Sequence, residues 1–293
     1  LIVSGKGGVG KTTVSLALGL LAAERGKRTL IAEVNSEEQV AHLLERPPIG
    51  YQETELLPGL WGINIQPKKS FEEYVLLQIK FRSLYRAVFE NRFVRYFIEA
   101  TPGLSDLMCI GKIYALVDDY DLVIVDAPST GHSVALLEVP SIVAGAVRVG
   151  PLKTEAEKID LLLHDPSKTE AVVVTLPEEM PVAEAVEMSR RLEEKLKLPL
   201  GPVFLNQVQN NAFTTAEKGE LSKLKKERGA NDPVWKRIEL QIARAELSEE
   251  YAARLAEALK KQPVVPIPFI YSTHFGLTEI QSIAATIEKN YGD

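Results

Sequence analysis

Close to the start of the chain, Gly5-Lys6-Gly7-Gly8-Val9-Gly10-Lys11-Thr12-Thr13 satisfies the spacing G-x-x-x-x-G-K-[ST]. Glycines there let the backbone wrap tightly enough to turn the N–H groups of Gly7, Gly8, Val9 and Gly10 onto phosphate oxygens. The helix that follows presents the positive end of its dipole to the same anion. In such a loop Lys11 is expected to reach the β- and γ-phosphates of ATP, with Thr12 as a Mg²⁺ ligand and Thr13 completing the loop. Asp126 closes the apolar run Leu122-Val123-Ile124-Val125. A carboxylate at the end of a buried strand is expected to hold Mg²⁺ through a water, as the Walker-B group does.

The elements that must position these groups are short apolar runs alternating with helical patterns, the arrangement of βα units around a largely parallel sheet. Strands are expected at Leu1–Ser4, Arg28–Val34, Leu122–Asp126, Val143–Val149, Ala171–Thr175, Pro202–Asn206 and Val264–Pro268, with a short one at Ile63–Gln66. Most are almost wholly apolar, as strands covered on both faces are. Helices are expected near Lys11–Arg25, Ser36–Glu45, Val182–Leu196 and Leu277–Lys289. The fold class is therefore α/β, a doubly wound and mostly parallel sheet.

Two long charged segments break this rhythm. Phe71–Ala100 sets Tyr74, Leu77, Phe81, Leu84, Tyr85, Val88, Phe89, Phe93 and Phe97 at helical spacing, and Thr215–Lys261 carries an apolar series through Leu240, Ile242, Leu247, Tyr251, Leu255 and Leu259. We read the chain as one P-loop domain over residues 1–293, with helical insertions at about 70–118 and 215–261 forming a subdomain on one side of the sheet.

With 34 Lys and Arg against 40 Asp and Glu, the net charge of −6 argues against broad adhesion to nucleic acid or an anionic membrane. No apolar run reaches the roughly 18 residues that span a bilayer, and no signal-peptide pattern is present, so the expected location is the cytoplasm. Cys109 is the single cysteine and sits among Leu107, Met108 and Ile110, a core setting. The sequence opens on Leu1-Ile2-Val3, already inside a strand and without an initiator Met, and a few residues are expected to precede it.

Lys6, directly after the first glycine, makes the loop resemble the deviant-Walker P-loop family related to MinD and ParA, whose loop reads K-G-G-x-G-K-[ST]. The stretch Asp126-Ala127-Pro128-Ser129-Thr130-Gly131-His132-Ser133 is similar to the switch II D-T-A-P-T-G-H-T of the ArsA-type and tail-anchored-protein-targeting ATPases, with the same step from Asp to Gly. The resemblance implies an ATPase that dimerises on ATP, as a homodimer or with a paralogue, Lys6 crossing to the partner's nucleotide. It further implies that Gly131 senses the γ-phosphate through its N–H, that Asn206 after Val203-Phe204-Leu205 reads the adenine edge, and that Pro268 belongs to a loop closing over the base. An Asn at a strand end also serves simply as a turn residue.

Three departures limit what carries over. Relatives hold the attacking water with an aspartate after the second strand, in D-P-A-H-S; here Asn35 takes that position, so hydrolysis is expected to be slow unless Glu33, Glu37 or Glu38 substitutes. All three glutamates read more simply as a solvated helix start. With one cysteine, neither the zinc clamp of the targeting dimers nor the three-thiolate arsenite site has a counterpart. Only Met108, Met180 and Met188 are available for the methionine-rich client groove, leaving the aromatic stripe as the candidate surface for a hydrophobic or amphipathic protein client. The reading that follows is a dimeric ArsA-type ATPase coupled to a protein partner. The alternative is a scaffold that binds ATP, hydrolyses it poorly and signals by assembly.

Overall fold

The computed structural model describes residues 1–78, 103–128, 130–228 and 233–291. Strands β1 (Ile2–Gly5), β2 (Thr29–Val34), β3 (Thr54–Leu57), β4 (Leu60–Ile65), β5 (Leu122–Asp126), β6 (Ala171–Thr175), β7 (Leu200–Val208) and β8 (Val264–Pro268) form one sheet in the order β3-β4-β2-β5-β1-β6-β7-β8. Only β3 runs antiparallel, joined to β4 through the Pro58-Gly59 turn. With Thr54 and Glu55 exposed, this edge strand lacks the apolar run that marks the others.

Alternate residues of the parallel strands feed two cores. Val3, Ile31, Ile124, Val172, Val174 and Phe204 face helices α1 (Lys11–Glu24), α2 (Gln39–Leu43) and α10 (Leu277–Tyr291). Ile2, Ala32, Val125, Val173 and Leu205 face the opposite layer, which contains α4 (Leu104–Leu116), α5 (Thr130–Ala146), α6 (Pro151–His164), α7 (Glu179–Arg190) and part of α9 (Pro233–Ala258). The sheet is thus sandwiched between helices, as the continuous apolar strands require. Helix α1 buries Val14, Leu16, Leu20 and Leu21 against the strands beneath it. Each such side chain stabilises by about 1.5–3 kcal/mol, which anchors the helix that the phosphate loop leads into.

Helix α3 (Pro67–Gln78) packs on α4, whose Leu107, Met108, Cys109, Ile110 and Ile113 are buried in the sheet's core. Tyr74 and Leu77 of the aromatic stripe fall on α3, while Phe81 to Phe97 lie outside the described residues. Helix α8 (Thr215–Arg228) precedes α9, which packs on α7, β7 and β8 through Ala245, Ser248 and Leu255, leaving Leu240 and Leu247 exposed.

One expected strand is corrected. Val143–Ala146 is the last turn of α5 and Val147–Val149 the segment after it, with Val149 84% exposed. A short apolar run reads alike for a strand and a buried helix, and the helical spacing of Val134, Leu137 and Val143 decided for helix. Helix α6, opened by Pro151 and buried through Ala156, Ile159 and Leu163, was not anticipated. The helix expected over Ser36–Glu45 shrinks to α2 because Asn35 (φ 49°) and Glu38 (φ 57°) adopt left-handed backbone. Among the described residues, no helix is long and apolar enough to cross a membrane.

Candidate functional site

The site sits where the sheet's winding reverses. From β1 the chain runs through α1 to β2, beyond β5, whereas from β5 it crosses β1 to reach β6. The C-terminal ends of β1 and β5 therefore open side by side with Val3 and Asp126 as register partners, the position where open α/β sheets form a crevice.

The loop leaving β1 needs its glycines. Gly5 has φ 152°, and a Cβ there would stand 2.3 Å from Val174 O. Gly10 has φ 92°, and its Cβ would stand 2.3 Å from Asn206 Nδ2. Gly10 O accepts from Val14 N at 3.0 Å, so α1 begins directly after the loop. Gly7, Gly8, Thr12 and Thr13 line the exposed and half-buried part of this turn, and Val9 is buried at 1% exposure, pinning the loop to the core.

Around the loop the polar groups converge. Thr12 Oγ1 donates to Asp126 Oδ2 at 2.7 Å and Ser15 Oγ to Asp126 Oδ1 at 3.3 Å. Lys11 Nζ arcs back to Lys6 O at 3.1 Å. Burial pushes the Lys11 ammonium below the ordinary lysine range, and the nearby Asp126 charge opposes this. Burial likewise pushes the Asp126 carboxyl up, opposed by the Thr12 hydrogen bond, the Lys11 charge and the Ser15 hydrogen bond. A cradle that requires glycine at residues 5 and 10, a lysine held over it, and a hydroxyl and a carboxylate as hard oxygen donors fit a phosphate chain with its divalent cation.

Other expected residues are placed differently from one another. Lys6 Nζ donates to Glu184 Oε1 of α7 at 2.8 Å, within the same chain. Asn206 is buried beneath the loop, donating from Nδ2 to Val9 O at 2.9 Å and accepting at Oδ1 from Gln207 N. Asn35 is exposed just past β2, its N–H bonded to Ile65 O at 2.9 Å. Gly131 lies in the first turn of α5, and Ser129 falls outside the described residues. Pro268 is half-buried at the end of β8, opposite Val208.

Glu33 corrects the expectation of a solvated helix start. It is wholly buried at the end of β2, its Oε1 accepting from Ser36 Oγ at 3.1 Å and Val40 N at 3.2 Å. Burial pushes its carboxyl up to about 7; the Val40 and Ser36 hydrogen bonds oppose the shift and the Asp126 charge adds to it. Glu38 is also engaged, accepting from Ile49 N and Gly50 N. Glu37 alone of the three is exposed. The signal for Glu33 was available, a charged residue inside an otherwise apolar strand. Ser15, three residues after Thr12, was legible as the same helix face. Nothing local marked Glu184.

A profile of the ArsA ATPase family, described as anion-transporting ATPase, matches residues 1–154, which carry the loop, Asn35, Asp126 and α5. The chain belongs to the ArsA ATPase family. Among its relatives, the ATPase BagA of Mycobacterium tuberculosis is 33% identical over 218 residues, covering 70% of this chain and 64% of the relative. The ATPase ASNA1 homolog 1 of Paramecium tetraurelia is 25% identical, covering 71% of this chain and 74% of that protein. The arsenical pump-driving ATPase of Escherichia coli is 27% identical, covering 59% of this chain and 33% of that protein. The chain thus spans 64% of the length of the mycobacterial relative. Its ArsA-type sheet of eight strands, seven of them parallel, fits the P-loop class expected from the sequence.

Proposed function

We propose that this chain binds ATP with Mg²⁺ at Gly5–Thr13 and hydrolyses it slowly as one half of an ATP-dependent dimer in the cytoplasm. The observation that carries the reading is the convergence of Lys11, Thr12 and Asp126 on a loop closed to every residue but glycine at positions 5 and 10. Lys11 and the loop N–H groups would hold the phosphates, and Thr12 and Asp126 would hold Mg²⁺, which would supply positive charge beside the phosphoryl group. Gly131 would meet the γ-phosphate through its N–H, with Pro268 on the base side, whereas Asn206, buried beneath the loop with Nδ2 on Val9 O and Oδ1 on Gln207 N, would pin the loop instead of reading the base as expected. The helices within about 70–118 and 215–261 would be additions to a single P-loop unit and the place where a protein client is handled.

A steady-state assay with and without Mg²⁺ tests the reading, the expected result being slow, Mg²⁺-dependent release of phosphate. Asn35 sets the rate in this proposal, because an amide shares a hydrogen bond with water but accepts no proton. Asn35→Asp is expected to raise kcat at least about tenfold with KM little changed, since positioned bases are worth about 10² to 10⁴ and ground-state contacts come from the loop. An unchanged kcat would remove Asn35 from the reaction. The same residue favours the second reading, a scaffold that binds ATP and signals by assembly, which a nucleotide-bound dimer without measurable turnover would support.

The dimer rests on Lys6 and on the family resemblance. The Lys6–Glu184 pair would then compete with the partner's phosphates for the same ammonium. Half-exposed pairs of this kind contribute about 0.2–1 kcal/mol, so Glu184→Gln is expected to tighten the ATP dimer by about 1.4- to fivefold for each Lys6 released. Lys6→Ala should weaken it. Sedimentation with ATP and Mg²⁺ reads both, and dimers of wild-type affinity in the two variants would leave Lys6 an ordinary loop lysine.

A further inference from the structure

Strands β2 and β5 are neighbours, and Glu33 and Asp126 are register partners across them. Ile31 and Ile124, two residues earlier on the respective strands, both belong to the core beneath α1. Because side chains alternate along a strand, Glu33 and Asp126 leave the sheet on that same face, on strands about 4.8 Å apart. Asp126 there meets Thr12 and Ser15 of α1.

Glu33 is 0% exposed, and its two oxygens are used unequally. Oε1 accepts both Ser36 Oγ and Val40 N and so pins the turn between β2 and α2. Oε2 is buried with no hydrogen-bond partner among the described residues. A pin for the turn needs one acceptor oxygen, which glutamine supplies as well. The second, unpartnered oxygen beside another carboxylate is costly to bury and has no part in that structural role. A small dication that keeps much of its water shell and is held through one or two carboxylates supplies water protons for Oε2 to accept and positive charge to offset two neighbouring acids.

We propose that Glu33 is a second carboxylate of the divalent-cation site, accepting hydrogen bonds at Oε2 from the cation's water shell beside Asp126. The inference rests on the nucleotide reading of the loop. It adds a residue of β2 to the Thr12 and Asp126 pair and gives the buried acid of that strand a purpose distinct from Asn35.

Glu33→Gln separates the two roles, since it preserves side-chain volume and the acceptor that pins the turn but replaces the charge and Oε2. ADP binding to wild type and variant is measured by equilibrium titration in EDTA and then across a Mg²⁺ series, with Mn²⁺ paramagnetic resonance as a direct count of bound cation. The expected result is ADP affinity in EDTA within about twofold of wild type and a Mg²⁺ or Mn²⁺ requirement raised about 10- to 100-fold, the range for residues that orient a metal's ligands. A cation requirement equal to wild type's overturns the proposal and leaves Glu33 a pin for the turn. A variant that does not fold in EDTA also overturns it, because the charge would then serve the fold. Wild-type protein that binds no ADP under either condition instead overturns the nucleotide reading itself, an outcome distinct from both.

Discussion

Lys11→Ala is expected to remove most of the stabilisation that ATP gives this protein while leaving the nucleotide-free fold nearly as stable as wild type. In the structure the Lys11 ammonium is desolvated, bonds Lys6 O and lies near Asp126, and it adds nothing to either apolar core. Its removal costs the fold a little through Asp126, which loses a countercharge but keeps Thr12 and Ser15. The loss in binding is far larger. A charge-assisted hydrogen bond contributes about 1.5–3 kcal/mol, so two bonds to phosphate oxygens correspond to a fall in affinity of at least about 100-fold. At ATP one hundred times the wild-type Kd, the bound state is stabilised by about 2.7 kcal/mol, and after such a fall only about 0.4 kcal/mol remains. Thermal unfolding with and without ATP·Mg²⁺ measures the difference. An undiminished shift in the variant would sink the assignment of the loop as a phosphate site.

Gly5→Ala is expected to act on the fold itself. A methyl group at residue 5 meets a main-chain carbonyl, Val174 O, at 2.3 Å, and no rotamer change relieves a clash with backbone. The φ of 152° adds strain that a side chain seldom tolerates. Strain of about 1–3 kcal/mol and overpacking of about 1–3 kcal/mol together predict a loss of roughly 2–6 kcal/mol, a large part of the 5–15 kcal/mol typical of a folded domain. Gly8 provides the comparison, because it has φ 83° but open space around its Cβ position. Gly8→Ala should cost only the backbone term, about 1–2 kcal/mol. Urea unfolding midpoints of the two variants report the contrast, and equal losses would mean that the approach of β6 to the loop is not what requires glycine at residue 5.

Much of this protein was legible without coordinates because the signals are short-range. The loop is one contiguous run whose glycines, lysine and threonines match the phosphate-loop spacing, and Asp126 is marked by the apolar strand it ends. Strands buried on both faces announce themselves by composition, and Leu122–Asp126, Ala171–Thr175 and Val264–Pro268 were bounded correctly on that ground. The same composition misled at Val143–Val149, where an apolar run continues a helix out to the surface, and missed β3, an edge strand with little apolar content.

The sequence by itself determined the motif of the loop with its Thr12 hydroxyl, the one carboxylate of Asp126 at a strand end, and the class of sheet that must carry them. Tertiary structure decided which groups actually meet. Sheet order departs from chain order, since β5 enters between β1 and β2, and only that insertion brings Glu33 against Asp126 and Asp126 against Thr12. The burial of Glu33, the Lys6 contact with Glu184, and Asn206 lying beneath Gly10 join residues from distant parts of the chain. Periodicity and motif spacing report the neighbours a residue has along its own helix or strand. The partners that decide whether a carboxylate is solvated or buried are supplied by strands and helices whose adjacency exists only once the sheet has closed in its particular order.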